Sequence, residues 1–339
     1  MKRVLLFILV AVLLIATPGC NNTEPELSGD NNHLNVVTTI FPLADMAEEL
    51  GGDKVSVSYL LPPGASPHTF EPTVDQARLV SEADLFIFIG AGLDDWAVKL
   101  AESAGPSLIL LNLSDMASLL QAAPYTDLKH SGDREDNHDY DDHAHEHEEE
   151  HLAADDDHHS EDHHDHGPDD PHFWLDPVTV RDAIAPAITG ALSLLAPDDE
   201  AYFNELSESY SQGLSLLHEE IESKLSSVQN RRFIAFHSAW QYFAHRYNLE
   251  EIAVIALFPG QEPSAGSMAE LIELVEDKSI KAIFSEAQFP SALAERIAEE
   301  SGLNLLELDP LGGPGIEGRE SYMGLMRYNL SMFLEGFSE

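Results

Sequence analysis

Three histidines and two acidic residues stand in segments where a folded chain could gather them around a metal ion. His68 lies in PPGASPHTFEPT, His172 in PHFWLDP and His237 in FIAFHSAW, while Glu286 lies in IFSEAQFP and Asp309 in LELDPLGG. Imidazole nitrogens combined with carboxylate oxygens in a tetrahedral set suit Zn²⁺. The residue types therefore indicate a zinc site made of three histidines and one or two carboxylates.

Each of these residues alone also fits a simpler role. A loop histidine beside a proline is more often structural or exposed, and Glu286 or Asp309 could cap a helix or form an ion pair. The joint placement of the five residues favours a shared site. His33, His218 and His245 lack that placement, and we interpret them as surface or helix residues.

Strand-like and helix-like segments alternate along the chain, and this alternation predicts which positions lie close together. The predicted strands cover residues 36–40, 55–61, 85–89, 108–111, 233–236, 252–257, 282–284 and 305–308. Such alternation is typical of parallel sheets covered by helices. Ligands bind beyond the carboxyl ends of the strands in these sheets. Four of the five candidate residues follow a predicted strand, and His172 lies where the first half of the chain ends.

A long helix is predicted between residues 198 and 227, because apolar residues recur there every three or four positions. These residues are Phe203, Leu206, Tyr210, Leu214, Leu217, Ile221 and Leu225. We expect Asp198 or Asp199, just after Pro197, to be its N-cap. The predicted fold is α/β, with two lobes that each contain a roughly four-stranded parallel sheet flanked by helices, joined by this long backbone helix.

The pattern also divides the chain into regions. We expect a signal peptide over 1–19, a flexible tether over 20–33, an N-terminal α/β lobe over 34–176, a linking helical segment over 177–228 and a C-terminal α/β lobe over 229–339. The first lobe is interrupted by a segment at 130–170 that has almost no apolar residues. Because such a segment cannot offset the entropy cost of ordering itself, we predict a disordered surface loop there.

The N-terminus has the pattern of an export signal. Lys2 and Arg3 precede an apolar run over residues 4–16, which is short for a membrane span and suited to a signal core. Cys20, the only cysteine, follows this run as in a bacterial lipobox, although Thr17 stands where leucine is usual. We predict lipidation of Cys20 and a membrane-anchored protein outside the cytoplasm; the alternative is a conventionally cleaved signal.

The chain is strongly acidic, with 61 Asp and Glu against 17 Lys and Arg and a formal charge of −44. Such a surface repels phosphate backbones, which argues against a nucleic-acid partner, and it attracts cations. The predicted loop mixes its acids with histidines at positions His138, His143, His145, His147, His151, His158, His159, His163, His164 and His166. We interpret this loop as an auxiliary, weak, multi-ion zinc collector; the alternative is a dispensable charged linker.

Several longer motifs together resemble one known family. TTIFPLADMAEELGGDKVSVSYLLPPGASPHTFEPT, PHFWLDP, FHSAWQYFAHRYNL, QEPSAG, IFSEAQFP and LDPLGG are similar to segments of the solute-binding lipoproteins of zinc and manganese ABC importers. The resemblance implies a monomeric two-lobe receptor that holds one ion between its lobes. It also implies His68, His172, His237 and Asp309 as ligands, with Glu286 less certain.

The resemblance further implies zinc and a transport partnership. Members that bind manganese have a glutamate where this chain has His237, and a third imidazole favours Zn²⁺ over Mn²⁺ or iron. The chain has no phosphate-binding GxxxxGK[ST] motif, so a separate ABC permease and ATPase are implied as partners.

Three other functions compete with this interpretation. A zinc hydrolase also uses three protein ligands, but the chain has no predicted helix that carries an HExxH motif and no evident general base paired with a nucleophile. A surface adhesin is a second alternative, because surface lipoproteins of this kind are sometimes described as adhesins. A surface metal buffer is the third, but it would not need two α/β lobes.

Overall fold

The structure is a computed structural model that describes residues 33–121, 169–256 and 264–338. The predicted signal peptide, Cys20, nearly all of the tether and the histidine-rich segment up to residue 168 lie outside the described residues. The predictions made for those regions therefore stay predictions.

The N-terminal lobe is built on a four-stranded parallel sheet. Its strands are Leu34–Thr38 (β1), Val55–Tyr59 (β2), Leu85–Phe88 (β3) and Ile109–Asn112 (β4), in the order β2-β1-β3-β4. Its helices are Phe41–Gly51 (α1), Val74–Ser81 (α2) and Trp96–Ser103 (α3). Strand β3 is buried along its whole length, which explains why its sequence, LFIF, is an unbroken apolar run.

Two long helices follow this lobe. Residues Pro177–Leu195 (α4) have the length and hydropathy of a membrane span, but the buried face of this helix packs in the protein core with Glu200–Ser226 (α5). The apolar face predicted for α5 is buried except for the half-buried Leu206. The expected N-cap is only partly right: Asp199 has the N-cap position, but its carboxylate pairs with Lys54 Nζ at 2.9 Å and makes no capping hydrogen bond.

The C-terminal lobe repeats the topology of the first. Its strands are Arg232–Ala235 (β5), Glu250–Val254 (β6), Ala282–Glu286 (β7) and Asn304–Leu308 (β8), in the order β6-β5-β7-β8, all parallel. Its helices are Gln241–Tyr247 (α6), Ala265–Lys278 (α7), Ala292–Ser301 (α8) and Tyr322–Gly336 (α9). The predicted fold class of two parallel four-stranded sheets and a long helix is confirmed.

Helix α9 was not predicted from the sequence, yet it belongs to the centre of the C-terminal lobe. Phe333 is fully buried and stacks on Phe243 of α6, with ring centroids 5.1 Å apart. The Phe333 ring also contacts Phe284 of β7, with ring centroids 4.9 Å apart. The helix therefore joins the sheet to α6 and completes the apolar core.

The chain is already ordered at the end of the predicted loop. Asp169 forms an antiparallel bridge with Gln121, and the backbone N–H of Asp170 donates to the carbonyl of Leu120 at 2.8 Å. The Asp170 residue is only 1% exposed. These two residues, which the sequence analysis included in the loop, are thus part of the folded lobe.

Candidate metal centre

His68 lies in a short 3₁₀ turn, Pro67–Thr69, in the loop that follows β2. The turn begins with a proline, whose fixed φ favours the first position of a helical turn. The indole N–H of Trp96 at the start of α3 donates to the Pro67 carbonyl at 3.0 Å. This contact fixes the turn against the lobe and places the half-buried His68 ring at the edge of the sheet.

His172 lies in the buried segment that leads into α4, and a neighbouring acid orients it. The Asp170 Oδ1 atom accepts the His172 backbone N–H at 2.9 Å and lies 2.8 Å from His172 Nδ1. When Nδ1 carries the proton and donates it to the carboxylate, Nε2 is the ring nitrogen whose lone pair can bind a metal. Asp170 thus selects the ring nitrogen that His172 can offer.

His237 has the same kind of support at the end of β5. Its Nδ1 lies 2.6 Å from Glu286 Oε1, and the same oxygen accepts the His237 backbone N–H at 3.3 Å. Glu286 is the last residue of the neighbouring strand β7, so the parallel register brings the two side chains together. A carboxylate on the far nitrogen of a ligating histidine is a recurring feature of zinc sites.

The three histidines form one compact group. Their ligand atoms all lie within 4.8 Å of one another, and the Nε2 atoms of His172 and His237 are 3.4 Å apart. Two Zn–N bonds of about 2.0–2.1 Å at a tetrahedral angle separate their nitrogens by roughly 3.4 Å. The pair therefore already has the spacing of two zinc ligands, with the His68 ring centroid 5.3 Å from that of His172 and 5.7 Å from that of His237.

A small cavity lies among these rings. The cavity volume is about 10 Å³, which is enough for one small ion. Its walls are Ser66, Pro67, His68, His172, Trp174, His237, Glu286, Gln288, Phe289, Pro310 and Leu311. Among these, Glu286 Oε2 and Gln288 Oε1 are buried without a hydrogen-bond partner. Buried oxygens without donors are the atoms that a cation would satisfy.

The electrostatics of the centre are also suited to a cation. Burial raises the pKa of the Asp170 carboxyl from its ordinary 3.8 to about 7, against the lowering effects of the His172 N–H and of nearby His237. The carboxylate form of Asp170 is therefore costly without a positive charge close by. A divalent ion at the histidines would supply that charge and favour the carboxylate.

Asp309, the fourth ligand predicted from the family resemblance, lies outside the three-histidine group. Its Oδ1 accepts the backbone N–H groups of Leu311 and Gly312 at 2.9 and 3.0 Å, and the Gln288 side-chain amide at 3.2 Å. Its Oδ2 pairs with Arg319 Nη1 at 3.0 Å. Asp309 thus lies behind the cavity wall with both oxygens engaged, whereas Glu286 lines the cavity.

Asp170 and Trp174 also belong to this centre, although the sequence motifs did not predict them. Asp170 was included in the loop, although its position two residues before His172 was a usable signal. Trp174 packs on His172, with ring centroids 5.2 Å apart, and its indole N–H donates to the Pro310 carbonyl at 2.9 Å. Of the histidines set aside, His33 and His245 are exposed, and His218 Nδ1 lies 3.2 Å from the Tyr247 hydroxyl.

The chain is similar to a known protein family, to curated relatives and to solved structures. The model of the family described as zinc-uptake complex component A, periplasmic (ZnuA), matches residues 36–336. The zinc-binding lipoprotein AdcA of Streptococcus pneumoniae is 27% identical over 335 residues, which are 97% of this chain and 60% of AdcA. The chain thus spans only part of that relative's length.

Other relatives match over nearly their whole length. The high-affinity zinc uptake system protein ZnuA of Bacillus subtilis is 28% identical over 96% of this chain and 94% of its own. The manganese-binding lipoprotein MntA of Halalkalibacterium halodurans is 24% identical over the full length of both. A crystal structure of ZnuA superposes with a TM-score of 0.70 and 26% identity, over 89% of this chain and 98% of that one. With a family model that covers nearly all of the described residues and a matching two-lobe fold, this chain belongs to the ZnuA family of zinc-uptake complex components.

Proposed function

We propose that the protein is an extracytoplasmic receptor that binds Zn²⁺ with high affinity and delivers it to an ABC importer. The observation that carries the proposal is the group of three histidines around a cavity for one small ion. His172 and His237 are held by buried carboxylates at the nitrogen that faces away from the partner ring. Zinc is the cargo of this site, and the chain itself performs no chemistry on it.

The proposed ligands are the imidazoles of His68, His172 and His237, with a carboxylate as the candidate for the fourth position. Glu286 and Asp309, the two acids predicted as ligands, differ in whether they have an oxygen atom without a partner. Glu286 lines the cavity and has one buried oxygen without a partner. Asp309, which the family resemblance implies as a ligand, could bind an ion only in competition with Arg319 for its Oδ2.

Zinc is the proposed cargo because of the donor atoms. Three imidazole nitrogens suit Zn²⁺, whereas Mn²⁺ prefers sites rich in carboxylate and other hard oxygens. Manganese or iron is the alternative cargo of the same receptor type, and the manganese-binding relative keeps that alternative open. The distance of 3.4 Å between the Nε2 atoms of His172 and His237 supports zinc, because it matches the distance between two nitrogen ligands of a tetrahedral zinc ion.

The family is the binding component of a zinc-uptake complex, which implies a membrane permease and an ATPase as partners. We propose that the receptor works as a monomer outside the cytoplasm, anchored to the membrane through lipid on Cys20. A family of binding components also argues against the zinc hydrolase. No feature of the described residues favours the adhesin alternative.

The proposal is tested by calorimetric titration of metal-free protein, residues 21 onward, with Zn²⁺ and then with Mn²⁺. The wild-type protein is compared with a His68→Ala, His237→Ala double variant that keeps the histidine-rich segment. We expect one tight zinc site in the wild type that is absent from the double variant, while weaker binding persists. Tight zinc binding that is unchanged in the double variant would overturn the proposed site.

A further inference from the structure

Arg319 occupies an enclosed position beside Asp309, between β8 and α9. Its Nη1 atom lies 3.0 Å from Asp309 Oδ2 and 3.2 Å from Glu307 Oε1. Its guanidinium also lies over the ring of Tyr328, 4.3 Å from the centroid. Only 17% of the Arg319 side chain and 2% of the Asp309 side chain are exposed. A charged hydrogen bond this well shielded from water is weakly screened.

The backbone around Arg319 is shaped to bring it to this place. The loop between β8 and α9 folds back on itself, so that the Gly313 N–H donates to the Arg319 carbonyl at 3.1 Å. Gly312 has a φ of +63°, and a Cβ added there would lie 2.6 Å from that carbonyl oxygen. Glycine is therefore required at 312 both for the left-handed conformation and for the close approach.

The remaining lone pairs of Asp309 are also in use. Its Oδ1 accepts two backbone N–H groups, from Leu311 and Gly312, and the Gln288 amide. Its own backbone is clamped by Asn329 of α9, which accepts from Asp309 N at 2.8 Å and donates to Asp309 O at 2.7 Å. The carboxylate is thus held from both sides in an orientation set by C-terminal-lobe residues, independently of the three histidines.

We propose that Arg319 withholds the Asp309 carboxylate from the bound ion and thereby sets the preference of the receptor for zinc over manganese. This inference rests on the proposed function. With Asp309 held back, the ion meets a nitrogen-rich site, which suits Zn²⁺. A released Asp309 would add hard oxygen donors, which favour Mn²⁺. Arg319 is thus a specificity-determining residue that acts through Asp309.

The test measures Zn²⁺ and Mn²⁺ affinities by competition with a chelating dye. The proteins are the wild type, Arg319→Met, and Arg319→Met combined with Asp309→Asn. We expect Arg319→Met to raise Mn²⁺ affinity about tenfold while changing Zn²⁺ affinity less, so that the zinc-to-manganese ratio falls. Adding Asp309→Asn should remove the gain in Mn²⁺ affinity, because both substitutions act on the Arg319–Asp309 pair.

The matched control is Arg327→Met. Arg327 is an α9 arginine that is 47% exposed and pairs with Glu220 at 2.9 Å, and its replacement should leave both affinities unchanged. An unaltered metal ratio in Arg319→Met, or a manganese gain that survives Asp309→Asn, would overturn the inference. If wild-type zinc binding is weak, or is unaffected by His237→Ala, the proposed function itself fails, and the two failures are thereby distinguished.

A crystal structure of the zinc-loaded wild type gives a second test that needs no variant. We expect the Arg319 Nη1 to Asp309 Oδ2 pair to persist near 3.0 Å beside the bound ion. An Asp309 oxygen bound to zinc, with Arg319 displaced, would overturn the inference even if Arg319→Met does not fold.

Discussion

At the scale of single residues, the candidate centre depends on pairs of a histidine and a carboxylate. Asp170 holds His172 and Glu286 holds His237, each through Nδ1 at 2.8 and 2.6 Å. Each carboxylate fixes the tautomer and the ring orientation, so that the Nε2 atoms face each other before any ion arrives. A site organised in advance loses less entropy on binding.

Replacing Asp170 by Asn should weaken zinc binding while leaving the fold intact. The amide keeps the shape of the side chain but removes the negative charge that raises the basicity of His172. We expect zinc affinity to fall by roughly 10- to 100-fold, as is typical when such an outer partner of a metal ligand is lost. Competition with a chelating dye measures the change. Asp169→Asn, one position earlier, is the matched control, and equal affinities in both variants would contradict the prediction.

At the scale of elements, helix α1 of the N-terminal lobe and helix α9 of the C-terminal lobe are joined by a buried hydrogen bond. Asp45 of α1 accepts the backbone N–H of Tyr322, the first residue of α9, at 2.8 Å. The Ser321 side chain accepts the Gly324 N–H of the same turn at 3.2 Å. The N-terminus of α9 is thus capped by its own N-cap residue and by an acid from the other lobe. Burial raises the pKa of Asp45 from 3.8 to about 6 despite this hydrogen bond.

This shift predicts a pH dependence of stability. Between about pH 4 and 6 the folded protein keeps the Asp45 proton and the unfolded chain does not. The contribution of Asp45 to the free energy of unfolding therefore rises as the pH falls through this window and is lost as the pH rises through 6. Asp45→Asn keeps the acceptor for Tyr322 N–H but removes the titration.

Denaturant unfolding of the metal-free wild type and of Asp45→Asn at pH 7.5 and pH 4 checks this. Relative to the variant, the wild type should gain roughly 1–3 kcal/mol at the lower pH. Because every other titrating group is common to both proteins, the difference isolates Asp45. The same difference at both pH values would contradict the predicted shift.

At the scale of the whole molecule, the candidate ligands come from distant parts of one continuous core. His68 follows a strand of the first sheet, His237 follows a strand of the second, and His172 lies in the segment between them. A single apolar cluster includes residues of both sheets and of α5. The cavity is therefore supported on both sides by the same packed interior.

Described residues on the two sides of the histidine-rich segment, Leu120 and Asp170, meet at Tyr242 of α6. The Tyr242 hydroxyl of α6 accepts the Leu120 N–H at 2.7 Å and donates to the Asp170 carbonyl at 2.9 Å. Leu120 and Asp170 are also hydrogen-bonded to each other at 2.8 Å. The two ends of the described chain on either side of this segment are thus held together by folded residues.

Deleting residues 133–165 should accordingly leave the tight zinc site intact. The closure at Tyr242 does not depend on the deleted residues, and a shorter connection costs little entropy. Calorimetric titration should show one tight site of wild-type affinity and the loss of weaker sites. If the deletion abolishes the tight site, the separation between a collecting loop and an interlobe site is wrong.

Much of the fold followed from local patterns that do not require knowledge of the partners. The alternation of apolar strands with amphipathic helices identified two parallel sheets, and the spacing along α5 identified its buried face. The predicted strand boundaries differ from the observed ones by up to three residues, because apolar runs mark buried positions rather than the ends of the hydrogen-bonded ladder. Helix α9 was not predicted from its local pattern, and its place in the lobe is set by contacts with distant residues, such as those of Phe333 with Phe243 and Phe284.

The sequence by itself determined the residue types of the three histidines and the strand-end positions of His68 and His237, because parallel strands place their carboxyl ends at one edge. It also determined the strong negative charge, since composition alone sets it. Only the tertiary structure decided which partner each carboxylate binds. Asp170 and Glu286 contact the Nδ1 atoms of histidines, whereas Asp309 forms an ion pair with Arg319. A carboxylate takes whichever donors the packed chain brings within about 3 Å, and that choice depends on contacts between residues far apart in sequence.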